Sequence, residues 1–378
     1  MSDQPPSRAL QMRSLVTNSQ TVEVSLEEVE VPDPGPHQVL IRVEAAPINP
    51  SDLGYLFAGA DLTRASASGT PDRPVVVAPL ADGAARAAAG RVGQSMAVGS
   101  EGAGTVVAAG EGDVARGLLG KVVAVAGGAM YSQYRTADTA ACLELPEGTQ
   151  PAVAAASFVN PMTVLGMVET MRMEGHRALA HTAAASNLGQ MLNRVCLQEQ
   201  IPLVNIVRSP AQAALLRDAG ATHVCDSSTD GFMEDLVEAF RTTSATLAFD
   251  AIGGGSMASR ILAAMEAALS SGAEFSRYGS AVHKQVYIYG GLDRGPTELA
   301  RSYGMAWGVG GWLLTSFLQS AGADQVAIMR RRVVDGITTT FVSHFDVSVS
   351  LARALHLDAV SAYSRQATGR KYLIDPSA

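Results

Sequence analysis

Between Arg177 and Tyr289 short apolar runs alternate with helical stretches, and this alternation constrains the fold more than any other feature of the chain. The runs are Arg177–His181, Pro202–Val207, His223–Cys225, Leu247–Ala251 and Gln285–Tyr289. Helical patterns fill the intervals at Gly189–Gln200, Pro210–Ala219, Gly231–Thr242 and Met257–Ala268. Strands joined through helices pair in parallel, because each crossover must carry the chain back to the same end of the sheet. The expected class is α/β with a doubly wound parallel sheet.

The remainder has another rhythm. From Leu10 to Glu147 short β-rich runs are broken by Gly and Pro, at Val22–Val29, Gln38–Ala46, Gly102–Ala109, Lys121–Ala126 and Ser132–Thr136, which predicts a small barrel-like domain. Within it, Asp61–Gln94 is rich in Ala, Gly, Pro and Arg and has no aromatic residue, so it reads as an inserted flexible loop or lid. After Ala321 one further helix and strands at Ser343–Phe345 and Lys371–Ile374 are expected to rejoin the first domain. The predicted division is 1–156 with 321–378, surrounding 157–320. A chain of 378 residues is long enough for two cores.

Composition excludes several classes. Hydrophobic residues make up 47% and charged residues 17%, so the chain has ample material for packed interiors. A net charge of −8 disfavours non-specific binding to nucleic acid or anionic lipid. Met1–Ser14 lacks the apolar core of a secretory signal. Met305–Leu318 is too short to cross a bilayer comfortably and reads as a buried helix or an interface segment. Cys142, Cys196 and Cys225 are odd in number and far apart, as suits reduced thiols. The expected location is cytoplasmic.

Arg177–Gly189 is a strand, a small-residue loop and the start of a helix, the setting of a dinucleotide fingerprint. The fingerprint spacing falls on Ala184, Ser186 and Gly189, with Asn187 and Leu188 opening the helix. The next strand ends in Arg208, where an acidic residue would take the ribose hydroxyls of NAD and an arginine can accept the 2′-phosphate of NADP. The expected cofactor is NADPH. Gly253, Gly254 and Gly255 follow the fourth strand, and Gly290 and Gly291 follow the fifth, at the strand ends where a ligand crosses such a sheet.

Ala46-Pro-Ile-Asn-Pro-Ser-Asp52, Gly99-Ser-Glu-Gly-Ala-Gly104, Phe158-Val-Asn-Pro-Met-Thr163, the loop ending at Gly189 and Val204-Asn-Ile-Val-Arg208 occur in a telling order. In these stretches the chain resembles the medium-chain dehydrogenase/reductase superfamily, especially its zinc-free NADPH:quinone oxidoreductases and the mitochondrial-type enoyl thioester reductases. The resemblance spans nearly the whole chain apart from Asp61–Gln94 and stretches after Leu292. It implies a discontinuous GroES-like β-barrel domain beside a Rossmann domain, and a homodimer formed through edge strands of the nucleotide domains.

The same resemblance places Asn49, Ser100 and Val159 where zinc-dependent members carry metal ligands, and none of the three is a zinc ligand of the usual N or S type. No metal is expected. Hydride delivery without a Lewis acid requires an acceptor that is already electrophilic, such as a quinone or enone. By resemblance, Thr163 contacts the nicotinamide amide and Asn49 and Asp52 form the cleft floor; as structural alternatives, Asp52 caps a helix and Asn49 serves a turn. Enoyl thioester reductases carry a proton-donating tyrosine where this chain has Ala60, and Tyr55 is the nearest tyrosine, at a different helical phase. Tyr131 and Tyr134 are alternative cleft residues or ordinary barrel packing. The leading expectation is a quinone or enone reductase, with an enoyl thioester reductase or an NADPH-binding protein of little turnover as alternatives.

Overall fold

Alternating apolar side chains build the first part of the chain: Val22, Val24 and Leu26 turn inward from one strand, and Val39, Ile41 and Val43 from the next. The computed structural model describes residues 5–365 and 371–378; residues 1–4, part of the stretch read for a secretory signal, lie outside the described residues. Strands Arg8–Val16 (β1), Thr21–Glu30 (β2) and Gln38–Pro47 (β3) lead to helix Pro50–Phe57 (α1). Ser66–Thr70 (β4), Arg73–Pro79 (β5), Ser95–Ala97 (β6), Glu101–Ala109 (β7), Val122–Ala126 (β8), Tyr134–Asp138 (β9) and Cys142–Glu144 (β10) follow.

Among the described residues, β4-β5-β2-β1-β6 make one five-stranded sheet. This corrects the reading of Asp61–Gln94 as a loop or lid. β4 and β5 form a hairpin, and β5 pairs antiparallel with β2, Val24 lying opposite Val76. Pro74, Val76 and Ala78 are buried in alternation along β5, so the valine run carries a strand that Gly- and Ala-rich flanks conceal.

The middle of the chain is α/β. Helix Val159–Met173 (α2) precedes Leu179–His181 (β11), Asn187–Gln198 (α3), Leu203–Val207 (β12), Pro210–Asp218 (α4), His223–Asp226 (β13), Phe232–Thr243 (α5) and Leu247–Asp250 (β14). Gly253–Gly255 (β15), Met257–Ser270 (α6), Lys284–Ile288 (β16), Asp293–Thr297 (β17) and Trp307–Gly311 (β18) complete it. The sheet runs β13-β12-β11-β14-β16-β18, entirely parallel. Numbered by their own sequence this is the order 3-2-1-4-5-6, whose switch point lies between β11 and β14.

β18 overturns the helix reading of Met305–Leu318 over Trp307–Gly311, while the helix that follows begins at Leu314 and the interface reading is untouched. Trp307 and Val309 pack on the core while Gly308 and Gly310 face the other way, a period of two that hydropathy alone does not distinguish from a buried helix. The helical stretch long and apolar enough to cross a membrane is instead Pro151–Met173, and 72% of its apolar window is buried within the protein.

Helix Leu314–Asp335 (α7) is broken at Gly322, where φ is 80°. After it, the strand expected at Ser343–Phe345 lies at Val347–Ser350 (β19), and two short helices, Leu351–Ala354 and Leu357–Ser364, were not anticipated. Tyr372–Asp375 (β20) pairs antiparallel with β3, so the second sheet of the first unit reads β10-β8-β7-β3-β20-β19, with β9 also on β3. The chain divides into two compact units, 1–159 with 332–378 and 160–331. The second division falls inside α7, several residues beyond the 320/321 boundary drawn from sequence, because the helix continues past the position where the pattern changes.

Candidate active site

Two groups of residues, one in each unit, have the chemistry of a site. In the second unit the loop after β11 is built from small residues because its backbone turns sharply. Ala183 takes φ 51°, in the left-handed region, and the Ser186 N–H donates to the Ala183 carbonyl. Ser186 then caps α3, its hydroxyl accepting the Gly189 N–H at 3.1 Å. A Cβ on Gly189 would stand 2.2 Å from the Ala184 carbonyl oxygen, so the third fingerprint position is glycine because helix and strand end touch backbone to backbone. Ala184 is fully buried beneath this contact, and Asn187 and Leu188 form the first turn of α3.

The strand ends beside the loop are stapled together. Thr182 Oγ1 donates to Asp250 Oδ1 at 2.7 Å and accepts the Ala251 N–H at 2.8 Å. Asp250 further accepts the N–H groups of Ile252 and Gly253. The next turn closes on it: a Cβ on Gly290 would lie 2.6 Å from the Ala251 carbonyl, and one on Gly253 would lie 2.8 Å from that of Gly290. Gly253 and Gly290 are thus brought together; Gly254 lies against Asp293 on β17, and Gly291 stands in open space. Arg208 is exposed just beyond β12, its N–H donating to Gln212 Oε1. Thr163 is buried on α2.

In the first unit β3 delivers Asn49 to the start of α1. Asp52, fully buried, accepts the Asn49 N–H at 2.8 Å, the Ser100 N–H at 2.9 Å and the Ser100 hydroxyl at 2.5 Å. Asp52 therefore takes the helix-starting role that was its structural alternative, and ties α1 to the Ser100 turn as well. Burial pushes its carboxyl above the usual range, against the opposing pull of these hydrogen bonds. Asn49 is the N-cap of α1 and shares a capping box with Asp52, while its Nδ2 donates to Glu101 Oε1 at 2.7 Å and its buried Oδ1 has no hydrogen bond of ordinary geometry among the described residues.

Glu101 opens β7 and is buried, its Oε2 accepting the N–H groups of Phe158 at 2.9 Å and Val159 at 2.8 Å. Tyr55, on the same helix as Asp52, is 56% exposed. Ala60 follows that helix, packed against the core. Tyr131 donates to the Pro47 carbonyl at 2.9 Å and is fully buried, which is the packing alternative; Tyr134 is half-buried on β9.

Sequence reasoning passed over Glu101, Lys371, Thr182, Asp250, His181 and Tyr289. Glu101 lies inside a motif already quoted, and its neighbours drew the attention. Asp250 and His181 end strands, a position that is informative only once the strand order is known. Cys142, Cys196 and Cys225 are free and buried, and burial raises the Cys225 thiol to about 12, which makes it inert. Among the described residues no group of three or more His, Cys, Asp or Glu is placed to hold a metal.

Residues 35–159 match the alcohol dehydrogenase GroES-like domain. Over its full length the fold is similar to that of a Mesorhizobium loti protein assigned as an NADPH:quinone reductase, with TM-score 0.73 and 25% identity, covering 99% of this chain and 100% of the other. In sequence the chain is 28% identical over 164 residues to a quinone oxidoreductase of Pseudomonas aeruginosa, covering 43% of this chain and 50% of the relative. It is 28% identical over 228 residues to a mycocerosic acid synthase-like polyketide synthase of Mycolicibacterium smegmatis, covering 60% of this chain and 9% of that protein. The two sequence matches span half or less of each relative's length. A GroES-like domain in the first unit and a 3-2-1-4-5-6 parallel sheet with its fingerprint loop in the second follow one another in the order shared with these proteins, so the chain is similar in fold to the medium-chain dehydrogenase/reductase superfamily.

Proposed function

We propose that the protein is a zinc-independent, NADPH-dependent reductase that passes hydride to a quinone or enone. The observation that carries this reading is Arg208, an exposed cation at the carboxyl end of β12, the strand paired with the fingerprint strand β11. A guanidinium there matches the 2′-phosphate that separates NADPH from NADH. The residues present fit the nucleotide. Ser186 and Gly189 form a turn whose backbone is unobstructed by side chains, at the positive end of α3, and a Cβ at Gly189 would close it. Ala184, Asn187, Leu188, Arg208, Gly253, Gly254, Gly290 and Gly291 would line the nucleotide, with Thr163 on its carboxamide.

When bound, NADPH supplies the hydride. In the first unit the Asn49 and Ser100 side chains are committed to Glu101 and Asp52, a donor set suited to holding a polar ligand rather than a zinc ion. Asp52 fixes the Asn49 backbone and the Ser100 turn, and Asn49 is the member of the pair with an atom left for a ligand. Tyr55 is the tyrosine on α1 available to a proton-transfer step.

A quinone is the acceptor that fits best. Hydride addition to it gives an anion stabilised by aromatisation that solvent can protonate, whereas an enoyl thioester needs a positioned acid worth about 10² to 10⁴ in rate. Ala60 offers none. The protein is read as cytoplasmic and homodimeric, with no nucleic-acid or membrane partner. The test is NADPH oxidation measured with small quinones, enals and crotonyl thioester under matched conditions. Quinone turnover faster than thioester turnover supports the reading. Thioester reduction without quinone activity replaces it with an enoyl thioester reductase, and tight NADPH binding without any turnover replaces it with a binding protein.

A further inference from the structure

The Lys371 ammonium is buried and has no hydrogen-bond partner among the described residues. The strand register explains where it sits. β20 pairs with β3 so that Ile374 faces Ala46 and Leu373 faces Pro47, and the Ile48 N–H donates to the Tyr372 carbonyl at 3.0 Å. One step further along the same ladder sets Lys371 opposite Asn49. Its backbone is held there by Asp346, whose Oδ2 accepts the Lys371 N–H at 2.8 Å. The ammonium lies 4.9 Å from the centre of the Phe345 ring.

Asn49 and Lys371, each with a buried polar atom that lacks a partner among the described residues, are therefore neighbours across a ladder, and Glu101 accepts from the other end of the Asn49 amide. An unpartnered buried polar atom is costly, and two in one place mark a site that a ligand completes. The orientation of the Asn49 amide follows from Glu101. Its two oxygens already accept three N–H groups, from Asn49, Phe158 and Val159. While Glu101 is ionised it demands a donor from Asn49; protonated, it could donate to Oδ1, and the amide would be free to turn over.

We propose that Lys371 is a positioning residue for Asn49: its ammonium keeps Glu101 ionised, and the ionised carboxylate holds the amide nitrogen inward, leaving Oδ1 to accept an O–H or N–H group of the bound molecule. This rests on the reductase reading. The donor is either a nucleotide group or the hydroxyl that forms on the reduced acceptor. The titratable groups acting on the ammonium are Glu101 on β7 and Asp52 on α1, with Asp346 before β19 on its backbone. Burial lowers Lys371 to about 8, outweighing the pull of Glu101 and Asp52, while burial raises Glu101 against its hydrogen bonds and Lys371. As pH rises through about 8 the ammonium is lost while Glu101 stays ionised, so the ammonium matters to the carboxylate below that pH.

The test has two arms. In the free protein, reductive ¹³C-methylation and NMR follow the Lys371 resonance, identified by its loss in Lys371→Arg. Glu101→Gln removes the neighbouring anion, so the resonance should titrate at lower pH than in the wild type; an unmoved titration overturns the coupling. In the second arm, NADPH dissociation constants from fluorescence and the kcat and KM for menadione are measured from pH 6.5 to 9.5. In Lys371→Met the NADPH dissociation constant should rise about tenfold if the donor is on the nucleotide, and kcat with menadione should fall about tenfold if the donor is the hydroxyl that forms on reduction. The affected constant should stay flat across pH 8 in the wild type and in Lys371→Arg, and in Lys371→Met the loss should shrink as rising pH ionises Glu101 without a cation beside it. A folded Lys371→Met with wild-type constants and a wild-type pH profile overturns the proposal. If no acceptor is reduced by the wild type, the reductase reading fails, while the NMR titration and the NADPH constants still decide the role of Lys371.

Discussion

His181 Nε2 and the Tyr289 hydroxyl lie 2.7 Å apart at the carboxyl ends of β11 and β16, with His181 wholly inside the protein and its Nδ1 without a partner among the described residues. Their rings stack at 5.7 Å between centroids, so the pair fills the space where these two strands end. An imidazole so placed stays neutral, because burial drives its pKa from 6.5 to about 3.

That depression predicts an acid weakness. Above pH 6.5 both folded and unfolded chains hold His181 neutral, and the full stability is present; as pH falls from 6.5 towards 3, the unfolded chain binds a proton that the folded one refuses. Between pH 6.5 and 5 this costs about 2 kcal/mol. Urea unfolding at the two pH values should show the loss in the wild type, and His181→Gln should reduce it by about that amount. An unchanged pH dependence in the variant would remove His181 as the cause.

Gly189→Ala should destabilise the second unit. Its Cβ would press on the Ala184 carbonyl oxygen at 2.2 Å and carbonyl carbon at 2.6 Å, both backbone, which no rotamer change relieves. The cost is about 3 kcal/mol, read as a lower Tm, and NADPH affinity should fall with it. A variant of native Tm would show that α3 can slide away from the loop.

Arg208→Ala should weaken NADPH binding by one to two powers of ten and leave NADH untouched, since a charged hydrogen bond contributes roughly 1.5 to 3 kcal/mol. Isothermal titration with both nucleotides checks it. Equal losses for the two would mean that Arg208 does not read the phosphate.

Protein purified without added metal should contain no stoichiometric zinc by elemental analysis, and chelation should leave any activity intact. The basis is that Asn49 and Ser100 are engaged with Glu101 and Asp52 where ligands of the usual type would stand. One tightly bound zinc per chain would overturn the proposed site.

Local pattern determined much of this protein. Short apolar runs and helical stretches announced β11, β12, β13, β14 and β16 and the helices between them, because a strand buried on both faces has to be apolar along its length. Small residues at Ala184, Ser186 and Gly189 announced a tight turn, because only small side chains leave room for backbone contact. Tertiary pairing decided the rest. β5 became a strand by docking on β2, and β18 by docking on β16; without those partners a valine run among alanines, or a Trp-Gly-Val-Gly run, has no defined conformation. Lys371 lies more than three hundred residues from Asn49 in the chain, and the β20–β3 register alone brings the two together. Sequence spacing carries information along the chain, whereas a buried charge and the acceptor it orients meet across a sheet, where only hydrogen-bond register sets the distance.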